Sequence, residues 1–97
     1  LKRLKQYNGI AEQSNNKEIL DAILLLARTE GIFTEPAGGV SVAVLKKMVE
    51  DGKIDRDETT VCYVTGNGLK ATESLMEVLP KPQVMQADVA KILAVVK

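Results

Sequence analysis

Two glycine-bearing stretches hold the side chains best placed for chemistry. The first is Glu30-Gly31-Ile32-Phe33-Thr34-Glu35-Pro36-Ala37-Gly38-Gly39, a carboxylate, a proline and a glycine pair set between two helical patterns. None of these serves a helix interior well, so the stretch reads as a loop with a function. The second is Val64-Thr65-Gly66-Asn67-Gly68-Leu69-Lys70. A hydroxyl at Thr65 can donate to or accept from the edge of a ligand, and the glycines flanking Asn67 let backbone N–H groups approach it. The same turn equally fits a threonine that only ties down local backbone. Glu35, at the mouth of a helix, can orient an ammonium or a cofactor group, or it can be an ordinary helix-start acid favoured by the dipole. Gly38-Gly39 could form part of an anion nest, but the spacing of neither common phosphate-loop motif is present. Cys62 reads as a small buried hydrophobe and Lys70 as a solvated lysine.

The elements that must position these turns follow from periodicity. Residues 1–8 read as the end of a helix or a frayed start, and residues 10–13 as a short strand. Ser14-Asn15-Asn16 offers caps, with Glu18 near the positive end of the helix that follows. Ile19, Ile23, Leu26 and Ala27 mark one face of that helix, Leu20 and Leu24 a second, and Gly31 ends it. A helix this apolar needs cover on most sides. A further helix over 37–50 shows Val40, Val44 and Met48, flanked by Leu45 and Val49, as its buried face. Residues 59–64 are β-branched and aromatic, with apolar side chains on both faces, as in a strand covered on both sides. A short helix within 71–79, an outer strand at 83–86, and a closing helix capped by Asp88 with Val89, Ile92, Leu93 and Val96 turned inward complete the order. The pattern β-α-α-β-(α)-β-α predicts an α/β fold, a layered sheet with helices on its faces. In such sheets ligands sit at the carboxyl ends of strands, which is where Thr65 falls. One convincing strand is little sheet for so many helices.

The totals narrow the function classes. Ninety-seven residues suit one domain at most. Lys+Arg and Asp+Glu number 13 each, a balance that lacks the basic excess of a nucleic-acid footprint or a polybasic membrane anchor. No apolar run approaches the ~20 residues of a bilayer span, and no signal-peptide pattern opens the chain. A single cysteine and no histidine exclude an internal disulfide, a Cys/His zinc site and a Ser-His-Asp triad. A cytoplasmic protein without a metal site is expected, and the start without Met points to an excised or processed piece.

Taken together, Gly31-Ile32-Phe33-Thr34-Glu35-Pro36-Ala37-Gly38-Gly39-Val40, the helix through Leu45-Lys46-Lys47, and Thr65-Gly66-Asn67-Gly68-Leu69-Lys70 resemble the carboxy-terminal part of the threonine synthase family. Threonine synthases are fold-type-II pyridoxal-phosphate enzymes. Glu-Pro-Ala-Gly is shared with threonine dehydratases; the Thr-Gly-Asn-Gly-Leu-Lys turn narrows the likeness to the synthases.

The resemblance implies a single partial domain over 1–97, within the larger cofactor domain of such an enzyme, with pyridoxal 5'-phosphate as cofactor. The implied reaction converts O-phospho-L-homoserine and water to L-threonine and phosphate, a carbon–oxygen lyase activity. It implies that Thr65 meets the pyridine nitrogen, that Gly66 and Asn67 shape the wall beside the ring, and that Glu35 lines the pocket. A neutral hydroxyl at that nitrogen would leave it largely unprotonated. The family's cofactor-carrying lysine, in a Ser-Phe-Lys type motif, and its Gly-Asn-rich phosphate loop have no counterpart here. No catalytic residue is therefore assigned, the chain alone is expected to be inactive, and the remainder of the enzyme is its expected partner, with a homo-oligomer left open. Two other readings remain: a stand-alone binding or regulatory module that kept the loops, and a dehydratase remnant.

Overall fold

The computed structural model describes residues 1–96. Its helices are α1 (Lys2–Gln6), α2 (Asn16–Glu30), α3 (Pro36–Glu50) and α4 (Val89–Val95), with two 3-10 turns, Gly68–Lys70 and Thr72–Leu75, between α3 and α4.

Local chemistry accounts for the limits of the two long helices. The Asn15 side chain accepts from the Glu18 N–H at 3.0 Å, and the Glu18 carboxylate accepts from the Asn15 N–H at 2.8 Å. This reciprocal capping box satisfies two otherwise orphaned donors at the start of α2. Gly31 ends α2 in the left-handed conformation, at φ 68°, where a glycine carries no steric penalty. Five residues on, α3 opens with Pro36 in its first turn, where the missing N–H costs nothing.

α2 and α3 pack against each other, and small residues make this possible. A Cβ on Gly39 would lie 2.7 Å from Ile23 Cγ1, 2.9 Å from Ile19 Cγ2 and 3.1 Å from the Ile19 carbonyl oxygen. Gly39 and Ala43, one turn apart, are buried on α3, and Ala22 and Ile23 are buried on α2. The expected α3 face of Val40, Val44 and Met48, with Leu45 and Val49, is therefore not the buried one, since Val40 and Val49 are exposed. Bulk marked the wrong stripe because the helices approach closely only where side chains are small.

The expected α/β fold, a layered sheet with helices on its faces, is corrected by the structure. Among the described residues there is no strand, and the sole β-type pairing is an isolated antiparallel bridge between Thr34 and Asn67. Residues 59–64 make no backbone–backbone hydrogen bond, and Val61 and Tyr63 stand exposed. β-branched composition suits a pleated, half-buried surface but does not create one. A ladder needs a neighbouring row of N–H and C=O groups, and residues 10–13 and 83–86, expected to be strands, form none. The expected helix within 71–79 is reduced to the second 3-10 turn. α4 is capped by Asp88 as its sequence predicts, yet Val89, Ile92, Leu93 and Val96 face solvent rather than a core.

The outcome is an elongated molecule. Its principal extents are 63 × 27 × 19 Å and its radius of gyration 18.3 Å, against about 13 Å for a compact domain of this length. Ala22, Ile23, Ala43 and Leu75 are its buried apolar side chains among the described residues. No helix among these residues is long and apolar enough to cross a membrane.

Candidate functional site

The two glycine-bearing turns, remote in sequence, meet. Main-chain groups join them: the Glu35 N–H donates to the Gly66 carbonyl at 3.2 Å, and the Gly68 N–H donates to the Phe33 carbonyl at 3.0 Å. The buried Thr34 hydroxyl adds a donation to the Gly66 carbonyl at 3.1 Å. Thr34 was not singled out in the sequence, although it sits between Phe33 and Glu35 and is fully buried. A β-branched hydroxyl next to a Glu-Pro turn was the available signal.

Three glycines permit this approach. A Cβ on Gly38 would fall on the Thr34 hydroxyl, one on Gly66 would fall on the Glu35 carboxylate, and one on Gly68 would lie 2.6 Å from the Phe33 ring. The space at each position is already occupied by a side chain of the first turn.

The structure therefore brings Glu35, Gly66 and Asn67 to one junction, with Thr65 adjoining. Glu35 caps α3 through its backbone, but its side chain makes no capping hydrogen bond. Its carboxylate instead pairs with the Lys70 ammonium at 3.4 Å, the Glu35 side chain being 21% exposed and that of Lys70 68%. The Asn67 amide oxygen accepts from the Leu69 N–H at 2.9 Å, so its side chain starts the 3-10 turn. The Thr65 side chain is exposed and its hydroxyl has no hydrogen-bond partner among the described residues. A free neutral hydroxyl beside a glycine is a donor set suited to the edge of a flat heterocycle. The cofactor that the resemblance implies contains a ring of that kind.

Electrostatics single out a different place. Glu12 binds Lys53 at 3.0 Å and Lys47 at 3.7 Å. Its carboxyl is pulled from 4.5 to about 2, first by the backbone N–H of Gln13, then by Lys53 and Lys47. Lys53 is held above its ordinary value by Glu12 and by Asp51. This cluster straps the segment before α2 to the end of α3 and lies outside the junction. A groove of about 340 Å³ between α2 and α3 includes Ala22, Leu25, Arg28, Ala43 and Lys46 in its walls. A second, of about 350 Å³, is bounded by Asn16, Ile19, Leu20, Pro36 and Ser74. Neither is lined by Thr65, Gly66 or Asn67. Among the described residues no group of three His, Cys, Asp or Glu side chains could hold a metal ion.

A family model described as "Pyridoxal-phosphate dependent enzyme" matches residues 1–66. The chain belongs to the pyridoxal-phosphate dependent enzyme family. The matched span takes in α2, α3, the whole Glu35 turn, and Thr65 and Gly66 of the second turn. Among curated proteins, the threonine synthase of Methanocaldococcus jannaschii is 44% identical over 89 residues, covering 92% of this chain and 22% of that protein. The threonine synthase of Methanosarcina acetivorans is 44% identical over 92 residues, covering 95% of this chain and 23% of its own length. That of Mycobacterium bovis is 40% identical over 84 residues, with 87% and 23% covered. The chain thus spans under a quarter of the length of these relatives.

Proposed function

We propose that this chain is the carboxy-terminal segment of a threonine synthase and supplies one wall of its cofactor site. The carrying observation is the backbone junction that sets Glu35, Gly66 and Asn67 together beside the unpartnered Thr65 hydroxyl. The threonine synthase names of its relatives support the choice within the family. In the proposed enzyme O-phospho-L-homoserine and water give L-threonine and phosphate, a carbon–oxygen lyase reaction.

Pyridoxal 5'-phosphate, when bound, supplies the electron sink. The residues of this chain orient and tune it. The Thr65 hydroxyl would hydrogen-bond the pyridine nitrogen, and being neutral it would not hold a proton there as a carboxylate would. Gly66 and Asn67 would form the wall beside the ring; Gly66 has no side chain to displace the Glu35 carboxylate. Glu35, at the amino end of α3, would line the cofactor pocket of the complete enzyme.

The lysine that carries the cofactor and the loop that holds its phosphate belong to the remainder of the enzyme, so the chain alone is expected to be inactive. Its elongated outline and sparse core support the reading that it is a part rather than a stand-alone module.

The test is to express the complete gene product and assay it with O-phospho-L-homoserine and pyridoxal phosphate. Release of phosphate and threonine, with kcat reduced about tenfold by Thr65→Ala, the size of one neutral hydrogen bond, is the expected result. Turnover of threonine but not of phosphohomoserine would move the assignment to a dehydratase. Treating the isolated chain with stoichiometric pyridoxal phosphate and borohydride should label its exposed lysines sparsely and without preference. Selective labelling of a single lysine would place the cofactor lysine within this chain.

A further inference from the structure

The Glu35–Lys70 pair is the one ion pair that joins the two turns among the described residues. The other close charge pairs lie within α2, within α3, or in the Glu12 strap. We infer that Lys70 is a positioning residue for the cofactor site, holding the Glu35 carboxylate against the Gly66 backbone and beside Thr65. The inference rests on the proposed function.

Three observations carry it. The Glu35 side chain is only 21% exposed, while that of its partner is 68% exposed, so the lysine reaches inward from the surface to an acid already seated. The seat is shaped for that acid, since a Cβ on Gly66 would occupy the position of the carboxylate itself. Glu35 also forgoes the capping hydrogen bond that its place before α3 offers, so its orientation is set across the turns and not by its own helix. A pair with so exposed a member contributes little to stability. Losing it should change where the carboxylate points without unfolding the junction, which the main-chain bonds hold independently.

The experiment uses the full-length holoenzyme with Lys70→Ala, Lys70→Arg, Glu35→Gln and the Lys70→Ala/Glu35→Gln double variant. Phosphate release is read together with the fluorescence of the bound pyridoxal phosphate. Lys70→Ala should lower kcat about tenfold with KM changed less than about threefold, and Lys70→Arg should recover most of the loss. The double variant should be no worse than Glu35→Gln, because a residue that acts only through another adds nothing once that other is gone. Cofactor emission should shift alike in Lys70→Ala and Glu35→Gln and return in Lys70→Arg.

An unchanged kcat in Lys70→Ala, or losses that multiply in the double variant, would overturn the role of Lys70. If the unmutated enzyme does not turn over phosphohomoserine, the proposed function fails separately. The role of Lys70 is then decided by emission alone: a shared shift sustains it, and no shift in Lys70→Ala ends it.

Discussion

The helix pair with its two turns, residues 15–75, and the arm that follows, residues 76–96, obey the same local rules with opposite tertiary results. α2 has its capping box and α4 has Asp88 accepting from the Ala90 and Lys91 N–H groups at 2.9 and 3.3 Å. Both helices start where their caps dictate. Yet α2 buries Ala22 and Ile23 against α3, whereas α4 buries nothing and Val84 in the arm is 100% exposed. A cap decides where a helix begins; only a neighbour decides whether its apolar face is covered. The half that found its neighbour within the chain is the half that builds the junction.

Mutations can break or sharpen this contrast. The largest effect is expected from Ile23→Ala, which empties the centre of the α2–α3 contact and should cost about 2–5 kcal/mol, read as a lower urea midpoint of the helical circular-dichroism signal. Gly39→Val should follow at about 1–3 kcal/mol in the same measurement, because its side chain meets the Ile19 backbone as well as the movable Ile19 and Ile23 side chains. A Gly39→Val protein as stable as the parent would show that the helices need not approach so closely.

The Glu12 strap should respond to acid. Its carboxyl titrates at about 2 in the folded chain and 4.5 without its partners. The strap's contribution is therefore complete above pH 4.5 and is lost as pH falls toward 2. Carbon NMR of the Glu12 carboxyl checks this, and Lys53→Ala should move the midpoint upward. Lys53 has the opposite sign: its raised value keeps its contribution whole below about pH 10.5 and loses it above. The smallest effect is expected from Leu93→Ala in α4, within about 0.5 kcal/mol by urea denaturation. A loss matching that of Ile23→Ala would show that the arm is covered in solution and would erase the contrast.

Much of the helix pair was legible because its signals are local. Asn15-x-x-Glu18, Gly31 and Pro36 mark limits within one turn of where they act. The interface stripe was not legible from bulk, since Gly39 and Ala43 contribute by what they omit. Residues 59–64 carried strand composition with no ladder to join, and composition cannot supply a partner. The Glu12 strap joins positions 41 residues apart, a distance over which no local pattern speaks. In the candidate site, Glu35, Thr65, Gly66 and Asn67 stood out by type and turn. Thr34, Phe33 and Lys70, which fasten the turns, gained their roles only from proximity.

That fastening has a consequence for timing. The bond from the Thr34 hydroxyl to Gly66 closes a 32-residue separation, whereas α2 and α3 are joined by a short connection and can pair first. The junction then assembles after the helix pair and can come apart before it. Its two bridging amides, Glu35 and Gly68, can take up deuterium in openings that leave α2 and α3 standing. In the working enzyme, such openings would make access to the cofactor wall a local event, separable from the survival of the helices that carry it.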